Sequence, residues 1–328
     1  MKIIITGGGG FLGSRLCDRI LEKGQLTAPS GRLESIAEIV LLDARFPVEH
    51  EDSRVRRVVC DVSDRDAVFF NVGQAPDTSI FHLASMVSGE CEERFDDALR
   101  VNLQGGLNIF EAARAIEGLP RLVFASSIAC FGGDAMPETM TDLTKRTPQT
   151  TYGMTKAIGE LMMNDFSRKG FFDGRSARLP TVIIRPGKPN AAASGWASGM
   201  FREPLGGVAC ELPVRRDQRH PMTGYRAVID SLIALHEIPG GKLGDDRALG
   251  LPADQVTPEL AESVLREVAA EKGIQLGPIN DAFDERIQGI VDNWPTDVDG
   301  SRAVRLGMPE PPPLKQIVEE YLEDYPKR

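Results

Sequence analysis

The sequence holds little cysteine, little histidine and no long apolar run. Its five cysteines lie far apart without a C-x-x-C pair, so neither a zinc site nor a disulfide framework is predicted, and this usage fits the reducing cytoplasm. The four histidines are scattered, and we expect no metal site. With no run of roughly 18 apolar residues and no cleavable signal segment at its start, the chain is not expected to enter a membrane.

Positive charge is also in deficit. Lys and Arg number 38 against 48 Asp and Glu, giving a net charge of -10, whereas the phosphates of nucleic acid require a basic face. We therefore expect no nucleic-acid partner. The apolar fraction of 41% can bury a large core, and a chain of 328 residues predicts one domain with an elaboration.

Short apolar or β-branched runs alternate with helical patterns through the first part of the chain. Strands are predicted at 2–6, 38–43, 57–60, 79–83, 121–126 and 181–185, and helices at 11–23, 64–71, 95–115 and 151–168. This alternation predicts an α/β fold with a Rossmann-type doubly wound parallel sheet. Further on, Gly and Pro become frequent between helices predicted near 224–237, 257–272 and 312–324. We expect a Rossmann domain at 1–189, with 224–238 packing back on it, and a smaller substrate-binding α/β elaboration at 190–328.

A glycine-rich loop, Thr6 to Gly13, joins the first strand to the first helix. Gly7 permits a tight turn, Gly10 lets the backbone approach a pyrophosphate, and Gly13 allows close packing of helix on strand. The N–H groups of the helix that follows favour an anion. On its own the run of glycines could be only a flexible turn. Its position between a strand and a helix favours dinucleotide binding.

An acidic residue, Asp43, ends the second strand. It follows Gly13 by 30 residues instead of the usual ~20, and we attribute the difference to a loop insertion at 24–34. A carboxylate here can accept hydrogen bonds from the adenosine ribose hydroxyls, but it would repel a 2′-phosphate. Arg45 could bind that phosphate, but we interpret it as a solvated surface residue. The predicted cofactor is therefore NAD and not NADP.

Tyr152 and Lys156 stand four residues apart on a predicted helix and so share one face. A nearby cation favours the phenolate and would bring the tyrosine pKa, ordinarily ~10, toward the working range of a base. The alternative is an ordinary amphipathic helix with a buried tyrosine and a surface lysine. Ser127, at the carboxyl end of the fifth predicted strand, could stabilise a substrate oxygen, or could merely bond its own turn.

Together these motifs resemble the extended short-chain dehydrogenase/reductase superfamily, which includes NAD-dependent epimerases and dehydratases. The matching residues are Gly7, Gly10, Gly13, Asp43, Asp61, Val62, His82, Leu83, Ala84, Asn102, Ser127, Tyr152 and Lys156, and the resemblance extends to 297–307 and the last helix. It implies that Phe11 and Leu12 complete the cofactor loop, that Asp61 and Val62 flank the adenine, and that Leu83, Ala84 and Ser85 line the cofactor. It also implies that Asn102 orders the site, that Lys156 binds the nicotinamide ribose, and that Pro186 borders the nicotinamide.

Four segments, 87–90, 147–150, 156–161 and 185–194, further resemble NAD-dependent dehydrogenases of four-carbon sugar acids. This resemblance implies oxidation of the C2 hydroxyl of D-erythronate to 2-dehydro-D-erythronate. Tyr152 would take the proton, Ser127 would polarise the substrate oxygen, and Lys156 would give electrostatic support. The sequence at 219–222 departs from the more aromatic stretch expected there.

The substrate carboxylate requires a binding site, and arginine suits it because its planar group can form two parallel hydrogen bonds. Each arginine could equally be a solvated surface charge, and we interpret His220 as a loop histidine. The candidate substrate-binding residues are Ser88, Ser127, Tyr152, Asn190, Arg202 and Arg219.

Two other functions remain open. A nucleotide-sugar epimerase or dehydratase shares the same fold and Ser/Tyr/Lys set, and the arginines at 202, 215, 216 and 219 could bind its diphosphate substrate. A non-catalytic NAD-sensing regulator does not need a tyrosine base, so the intact set argues against it.

Two of the predicted helices are apolar on more than one face, which favours a homodimer over burial within one chain. The apolar positions are Leu99, Leu103, Leu107, Ile158, Leu161 and Met162.

Overall fold

A computed structural model describes residues 1–47, 49–188 and 194–326. Its strands are β1 Lys2–Thr6, β2 Gln25–Thr27, β3 Leu33–Ser35, β4 Glu38–Asp43, β5 Val55–Val59, β6 Thr78–His82, β7 Arg121–Ser127, β8 Asp173–Leu179, β9 Thr181–Ile183, β10 Cys210–Leu212, β11 His220–Gly224, β12 Ala248–Gly250, β13 Asp254–Val256 and β14 Ile279–Asp281. Its α-helices are α1 Phe11–Lys23, α2 Arg65–Val72, α3 Ser88–Glu93, α4 Phe95–Ala98, α5 Gly105–Arg114, α6 Thr151–Arg168, α7 Gly195–Leu205, α8 Tyr225–Glu237, α9 Pro258–Lys272, α10 Glu285–Val291, α11 Ser301–Arg305 and α12 Leu314–Asp324.

Seven parallel strands form the central sheet, in the order β12-β8-β7-β6-β1-β4-β5. The predicted α/β doubly wound fold is confirmed. The first strand is an unbroken apolar run whose isoleucines, Ile3, Ile4 and Ile5, are fully buried, as expected for a strand covered on both faces. The strand order reverses between β1 and β6, and ligands of such sheets bind at the carboxyl ends of the strands beside that point.

Helices cover both faces of this sheet. On one face α1 and α8 contribute Leu16, Ile20 and Leu232 to a core with β1. On the other face α5 contributes Ile109 and Phe110 to a second core. A third core joins α7, α9 and α12 to a small sheet of β13, β11 and β9. This small sheet lies beside the central one because β9 begins two residues after β8 ends.

The prediction of a sixth central strand at 181–185 was wrong. Part of this segment forms β9, but the strand that extends the central sheet is β8, which was not predicted because its sequence, DGRSARL, carries no apolar pattern. Its arginines are nevertheless buried. Arg175 donates to three carbonyls at the end of α8, and Arg178 pairs with Glu160 of α6 at 2.9 Å. Because the interior supplies these partners, a polar sequence occupies a buried strand.

Two further segments differ in detail from prediction. The predicted helix at 95–115 is continuous, but its middle turn is a π-helix, Leu99–Gln104, between α4 and α5. Such bulges occur frequently at functional sites. The predicted loop insertion at 24–34 contains the antiparallel pair β2–β3. Among the described residues, no helix has the length and apolarity needed to cross a membrane.

Candidate active site

The glycine loop lies at the carboxyl end of β1 and leads into α1. Gly7 has a φ of +73°, and a Cβ there would lie 2.8 Å from the backbone nitrogen of Ala84. A Cβ on Gly13 would lie 2.1 Å from the Gly7 oxygen, so both positions require glycine. Gly10 precedes α1, and within the described chain no side chain caps that helix. Its first N–H groups are therefore placed to bind an anion, which suits a pyrophosphate.

Asp43 ends β4 beside this loop. Its carboxylate accepts hydrogen bonds from the backbone N–H of Gly9 at 3.0 Å and of Arg45 at 3.2 Å, while the Arg45 side chain is exposed. The acid is thereby fixed at the rim of the loop, as expected of a ribose-binding residue.

The neighbouring pair, Asp61 and Val62, is placed differently. Asp61 is half-exposed and pairs with Arg100 at 2.8 Å, and Val62 is buried against Gly105. The Asp61 carboxylate is thus already engaged, and the Val62 side chain belongs to the core.

The end of β6 is tied to the end of β1 by a chain of hydrogen bonds. The Ala84 N–H donates to Thr6 Oγ1 at 3.1 Å, and Thr6 Oγ1 lies 2.6 Å from His82 Nδ1. Thr6 Oγ1 therefore links the Ala84 backbone to the His82 ring. Burial lowers the pKa of His82 to about 3, and it stays neutral. This link fixes the half-buried segment that contains Leu83, Ala84 and Ser85 beside the glycine loop.

Asn102 lies in the π-helical turn and holds the next residue of that segment. Its Oδ1 accepts from the Met86 N–H at 2.7 Å, and its Nδ2 donates to the Met86 carbonyl at 3.3 Å. The same Nδ2 lies 3.4 Å from Thr155 Oγ1 on α6. One buried amide therefore connects the loop after β6 to the helix that carries Tyr152.

Ser127, Tyr152 and Lys156 meet at the carboxyl end of β7. Ser127 Oγ accepts from the Ala129 N–H at 3.1 Å. The same hydroxyl interacts with the Tyr152 phenol and lowers its pKa. Ser127 thus bonds its own turn, and its action on a substrate oxygen stays a prediction. Lys156 Nζ donates to the Ala125 carbonyl at 2.8 Å and lies 5.3 Å from the centre of the Tyr152 ring.

The protonation of this group differs from the sequence-based expectation. Burial raises the pKa of Tyr152 to about 12, although the hydrogen bond from Ser127 acts in the opposite direction. Burial also lowers the pKa of Lys156 to about 8. Desolvation of the phenolate is the largest cause of the shift at Tyr152, so the lowering of the tyrosine pKa that the sequence predicted is not seen.

A cavity of about 240 Å³ adjoins Ser127 and Tyr152. Five hydroxyl-bearing side chains line it, together with one imidazole, one indole and apolar groups; the hydroxyls belong to Ser88, Ser127, Tyr152, Thr181 and Ser194. Leu12 of the cofactor loop also lines it, whereas the Phe11 ring packs on Tyr225 with a centroid distance of 5.1 Å. The proline in the wall is Pro180, directly after β8, and not Pro186. The place of Pro186 beside the nicotinamide, which the family resemblance implies, stays a prediction.

The predicted substrate residues do not all lie at the cavity that adjoins Tyr152. Ser88 begins α3 and lines the cavity. Arg202 lines a separate cavity, where it donates to the Arg185 carbonyl at 2.9 Å and pairs with Glu203. Arg219 is exposed and pairs with Glu138 at 3.1 Å. Asn190 lies outside the described residues. The structure therefore brings neither arginine to the cavity that adjoins Tyr152.

Thr181, His220 and Trp294 also line this cavity, and sequence reasoning did not place them there. His220 was interpreted as a loop histidine, but it begins β11 and is 1% exposed. Their elements come from distant parts of the chain, and no local motif marks them. The pairing of β9 with β11 brings Thr181 and His220 together, and that pairing depends on tertiary structure.

This arrangement suits oxidation of an alcohol beside a dinucleotide. A phenol and a serine hydroxyl converge on one cavity next to a glycine loop and a helix N-terminus, so a substrate oxygen could contact both hydroxyls. The lysine below them adds a positive charge close to the phenol. The described lining holds no carboxylate and no arginine.

Comparison with known proteins agrees with this site. The chain is 40% identical over 328 residues to the D-erythronate dehydrogenase of Cupriavidus necator, covering 99% of this chain and 98% of the relative. It is 36% identical over 324 residues to the D-erythronate dehydrogenase of Haemophilus influenzae, covering 98% and 99%. A crystal structure described as a nucleoside-diphosphate-sugar epimerase from Agrobacterium tumefaciens superimposes with a TM-score of 0.89 at 37% identity, covering 99% of this chain and 94% of that one.

The NAD dependent epimerase/dehydratase family matches residues 3–212, which contain the glycine loop, Asp43, Ser127, Tyr152 and Lys156. The match spans more than half of the chain and the whole central sheet except β12. The chain belongs to the NAD dependent epimerase/dehydratase family.

Proposed function

We propose that this protein is an NAD-dependent dehydrogenase that oxidises the C2 hydroxyl of D-erythronate to 2-dehydro-D-erythronate. The observation that carries the proposal is the Ser127–Tyr152–Lys156 group beside a small cavity lined by hydroxyls. The two D-erythronate dehydrogenases at 40% and 36% identity support the substrate. Residues 1–189 would hold the dinucleotide, and 190–328 would mainly bind the substrate.

The roles of the residues follow from their positions. Tyr152 takes the proton of the C2 hydroxyl, and Ser127 donates a hydrogen bond to the same oxygen. The positive charge of Lys156 stabilises the phenolate that Tyr152 must become. A bound NAD would supply the acceptor for the hydride that leaves C2. The substrate carboxylate would be bound by neutral donors such as Ser88, because no arginine lines the described wall of the cavity.

The cofactor is NAD and not NADP under this proposal. Asp43 places a carboxylate beside the glycine loop, held by the Gly9 N–H, where an adenosine ribose would offer two hydroxyls to it. A 2′-phosphate at the same place would meet like charge.

The size of the cavity supports a small substrate. Its volume of about 240 Å³ is below the range of roughly 300–1,000 Å³ typical of sites for drug-sized ligands. A four-carbon acid needs much less room than a nucleotide sugar.

A nucleoside-diphosphate-sugar epimerase is the second candidate, and the described identity of the Agrobacterium tumefaciens structure favours it. A diphosphate would need a basic extension of the cavity. The adjacent cavity of about 590 Å³, which shares Ser88, is lined by two arginines, Arg202 and Arg286, and by four carboxylates, Glu92, Glu93, Glu203 and Glu211. This balance of charge disfavours a diphosphate, so we prefer the dehydrogenase.

The deciding experiment supplies C4–C6 aldonates with NAD or NADP and follows NADH absorbance, with Tyr152→Phe as the inactive control. We expect NADH to accumulate in proportion to D-erythronate consumed, with NAD preferred. An epimerase regenerates its cofactor, so conversion of a UDP-sugar without NADH, together with no activity on any aldonate, would overturn the proposal.

We also infer that two copies of the chain associate through the π-helical turn, α5 and α6. The six apolar residues that suggested this from sequence are all at least partly exposed in one chain, and Leu161 is 55% exposed. Packing within one chain, such as that of Met162 on the core below α5, covers only part of their surface. Light scattering should give a dimer, and Leu161→Glu should shift it toward monomer. Leu143→Glu, at a 91% exposed position on a loop, is the matched control and should remain dimeric.

A further inference from the structure

His220 and Thr181 form a polar pair in the wall of the cavity that holds Tyr152. Thr181 begins β9 and His220 begins β11, and these strands are parallel neighbours in the small sheet. Thr181 Oγ1 lies 2.5 Å from His220 Nε2. Both residues line the cavity together with Ser127 and Tyr152. The pair has no role in the proton transfer assigned to Tyr152.

Two indole rings lie close to the imidazole. The His220 ring centre lies 5.9 Å from that of Trp196 and 5.5 Å from that of Trp294. With 1% of the residue exposed, the ring has little freedom to turn. Its remaining nitrogen, Nδ1, is buried and has no hydrogen-bond partner among the described residues.

The unsatisfied nitrogen indicates which tautomer is present. A buried N–H without a partner costs more than a bare ring nitrogen, so the proton belongs on Nε2 and not on Nδ1. Nε2 then donates to Thr181 Oγ1, and the hydroxyl proton of Thr181 is left over. Thr181 is half-buried and lines the cavity, so this proton can be donated to a bound molecule.

The chemistry of the pair favours a hydroxyl ligand over a carboxylate. Burial lowers the pKa of His220 to about 4, so the pair is neutral near pH 7. A carboxylate against the neutral pair and the Trp294 indole would lose hydration without gaining an opposite charge, whereas a neutral hydroxyl has no charge to desolvate.

We infer that Thr181, oriented by His220, recognises a substrate hydroxyl other than the one that is oxidised, and so selects polyhydroxy acids over simple 2-hydroxy acids. The inference rests on the proposed oxidation of D-erythronate. Thr181 would contact the hydroxyl at C3 or C4, and His220 is a positioning residue that acts through Thr181.

The test compares D-erythronate with 2-hydroxybutyrate of the same C2 configuration, which keeps the carboxylate and the reacting alcohol but lacks both other hydroxyls. A site that binds a hydroxyl discriminates strongly against an analogue without it, so wild-type kcat/KM should be ~100-fold or more higher for D-erythronate. Thr181→Val keeps the shape and removes the donor. The substitution should lower the ratio of kcat/KM for D-erythronate to kcat/KM for 2-hydroxybutyrate by ~10-fold or more. Only kcat/KM for D-erythronate should fall.

Further variants separate recognition from structural damage. His220→Leu should also lower the ratio of the two kcat/KM values. His220→Gln retains an amide donor for Thr181, so most of the wild-type preference for D-erythronate should remain. Thr223→Val is the matched control, because Thr223 is a buried hydroxyl on the same strand without a partner among the described residues, and it does not line the cavity. Its ratio should not change.

The outcomes are distinct. If Thr181→Val lowers activity on both acids by the same factor, or keeps the wild-type ratio, the inference is overturned while the proposed oxidation stands. If the wild-type enzyme oxidises neither acid, the proposed function fails and the inference fails with it. Only a loss confined to the hydroxylated substrate supports it.

Discussion

The protonation of Tyr152 sets what fraction of the enzyme can catalyse each direction of the reaction. Burial raises its pKa to about 12, so it holds its proton near neutrality. Oxidation of the alcohol needs the phenolate, whereas reduction of the ketone needs the phenol. We expect kcat/KM for oxidation to rise with pH from about pH 6 to about pH 9, by up to ~10-fold per unit, and kcat/KM for reduction not to rise. The rise should flatten as Lys156, whose pKa burial lowers to about 8, loses its charge.

Steady-state pH profiles in both directions check this. Tyr152→Phe should lower oxidation by ~100-fold or more at every pH and remove the slope. A profile for oxidation that falls between pH 6 and 8 would contradict the assignment of Tyr152 as the base.

Asp43 is the residue that should distinguish the two dinucleotides. Asp43→Asn keeps an oxygen that can accept from the Gly9 N–H, so the loop should retain its shape while the charge is lost. Hydrogen bonds to charged groups contribute about 1.5–3 kcal/mol, so kcat/KM with NAD should fall by ~10-fold or more. With NADP it should stay the same or rise, since repulsion is removed. Equal losses with both cofactors would show that Asp43 acts only through the loop.

At this scale the sequence could predict residues held in local motifs but not residues assembled by distant strands. Gly7, Asp43, Ser127, Tyr152 and Lys156 each belong to a local strand–loop–helix motif. The structure places Asp43 at the glycine loop, and it places Tyr152 and Lys156 near the end of β7, where Ser127 lies. The arginines expected to bind a carboxylate are elsewhere, because nothing in the sequence gives the direction of an exposed side chain. His220 was undervalued for the converse reason, since its burial depends on the pairing of β9 with β11.

Among the elements, β8 depends on a buried ion pair. Arg178 is 1% exposed and Glu160 is fully buried, and Asp142 also pairs with Arg178. Arg178→Met removes this buried guanidinium and leaves Glu160 paired with Arg146 and Asp142 paired with Arg302. Losing one partner of a buried pair costs about 3–5 kcal/mol, and the remaining partners should keep the loss near the lower end of that range. We expect the free energy of unfolding, measured with urea, to fall by that amount. The control is Arg114→Met, whose pair with Glu111 is solvent-exposed and should cost under about 1 kcal/mol. Equal effects of the two substitutions would refute the role of the buried pair.

Comparison of β8 with the other elements shows which helices and strands the sequence pattern can predict. The bounds predicted for β1, α1, β4 and α6 agree with the structure, because each has either an unbroken apolar run or a regular apolar period. The strand β8 was missed because its buried side chains are charged, and their partners come from α6 and from the end of α8. The π-helical turn at Leu99–Gln104 was missed because the sequence signal of a helix does not distinguish the width of one turn.

The whole molecule should lose stability as the solution becomes acidic. Burial lowers the pKa of His82 to about 3, of His220 to about 4 and of His236 to about 4, from an ordinary value near 6.5. The folded chain keeps these rings neutral, whereas the unfolded chain binds protons below pH ~6.5, so the stability they contribute is full above that pH and is lost as pH falls toward 4. Where all three rings are protonated in the unfolded chain and neutral in the folded chain, the free energy of unfolding falls by about 4 kcal/mol for each pH unit.

Urea unfolding at pH 7.5 and pH 5.5 measures this slope. The midpoint should be clearly lower at pH 5.5, and the low pKa of Glu237, about 2, extends the decline below the range of the histidines. A midpoint that is unchanged or higher at pH 5.5 would show that the three rings are protonated without cost in the folded chain.

The central claim concerns one bond, the C2–H bond of D-erythronate. The most direct measurement supplies the enzyme with unlabelled NAD and with D-erythronate that carries deuterium at C2. The reduced cofactor is then analysed by mass spectrometry. We predict that the reduced cofactor gains one deuterium for each 2-dehydro-D-erythronate formed, and that Tyr152→Phe nearly abolishes this transfer. Reduced cofactor without deuterium, or deuterium retained at C2 while the substrate is otherwise converted, would contradict the account.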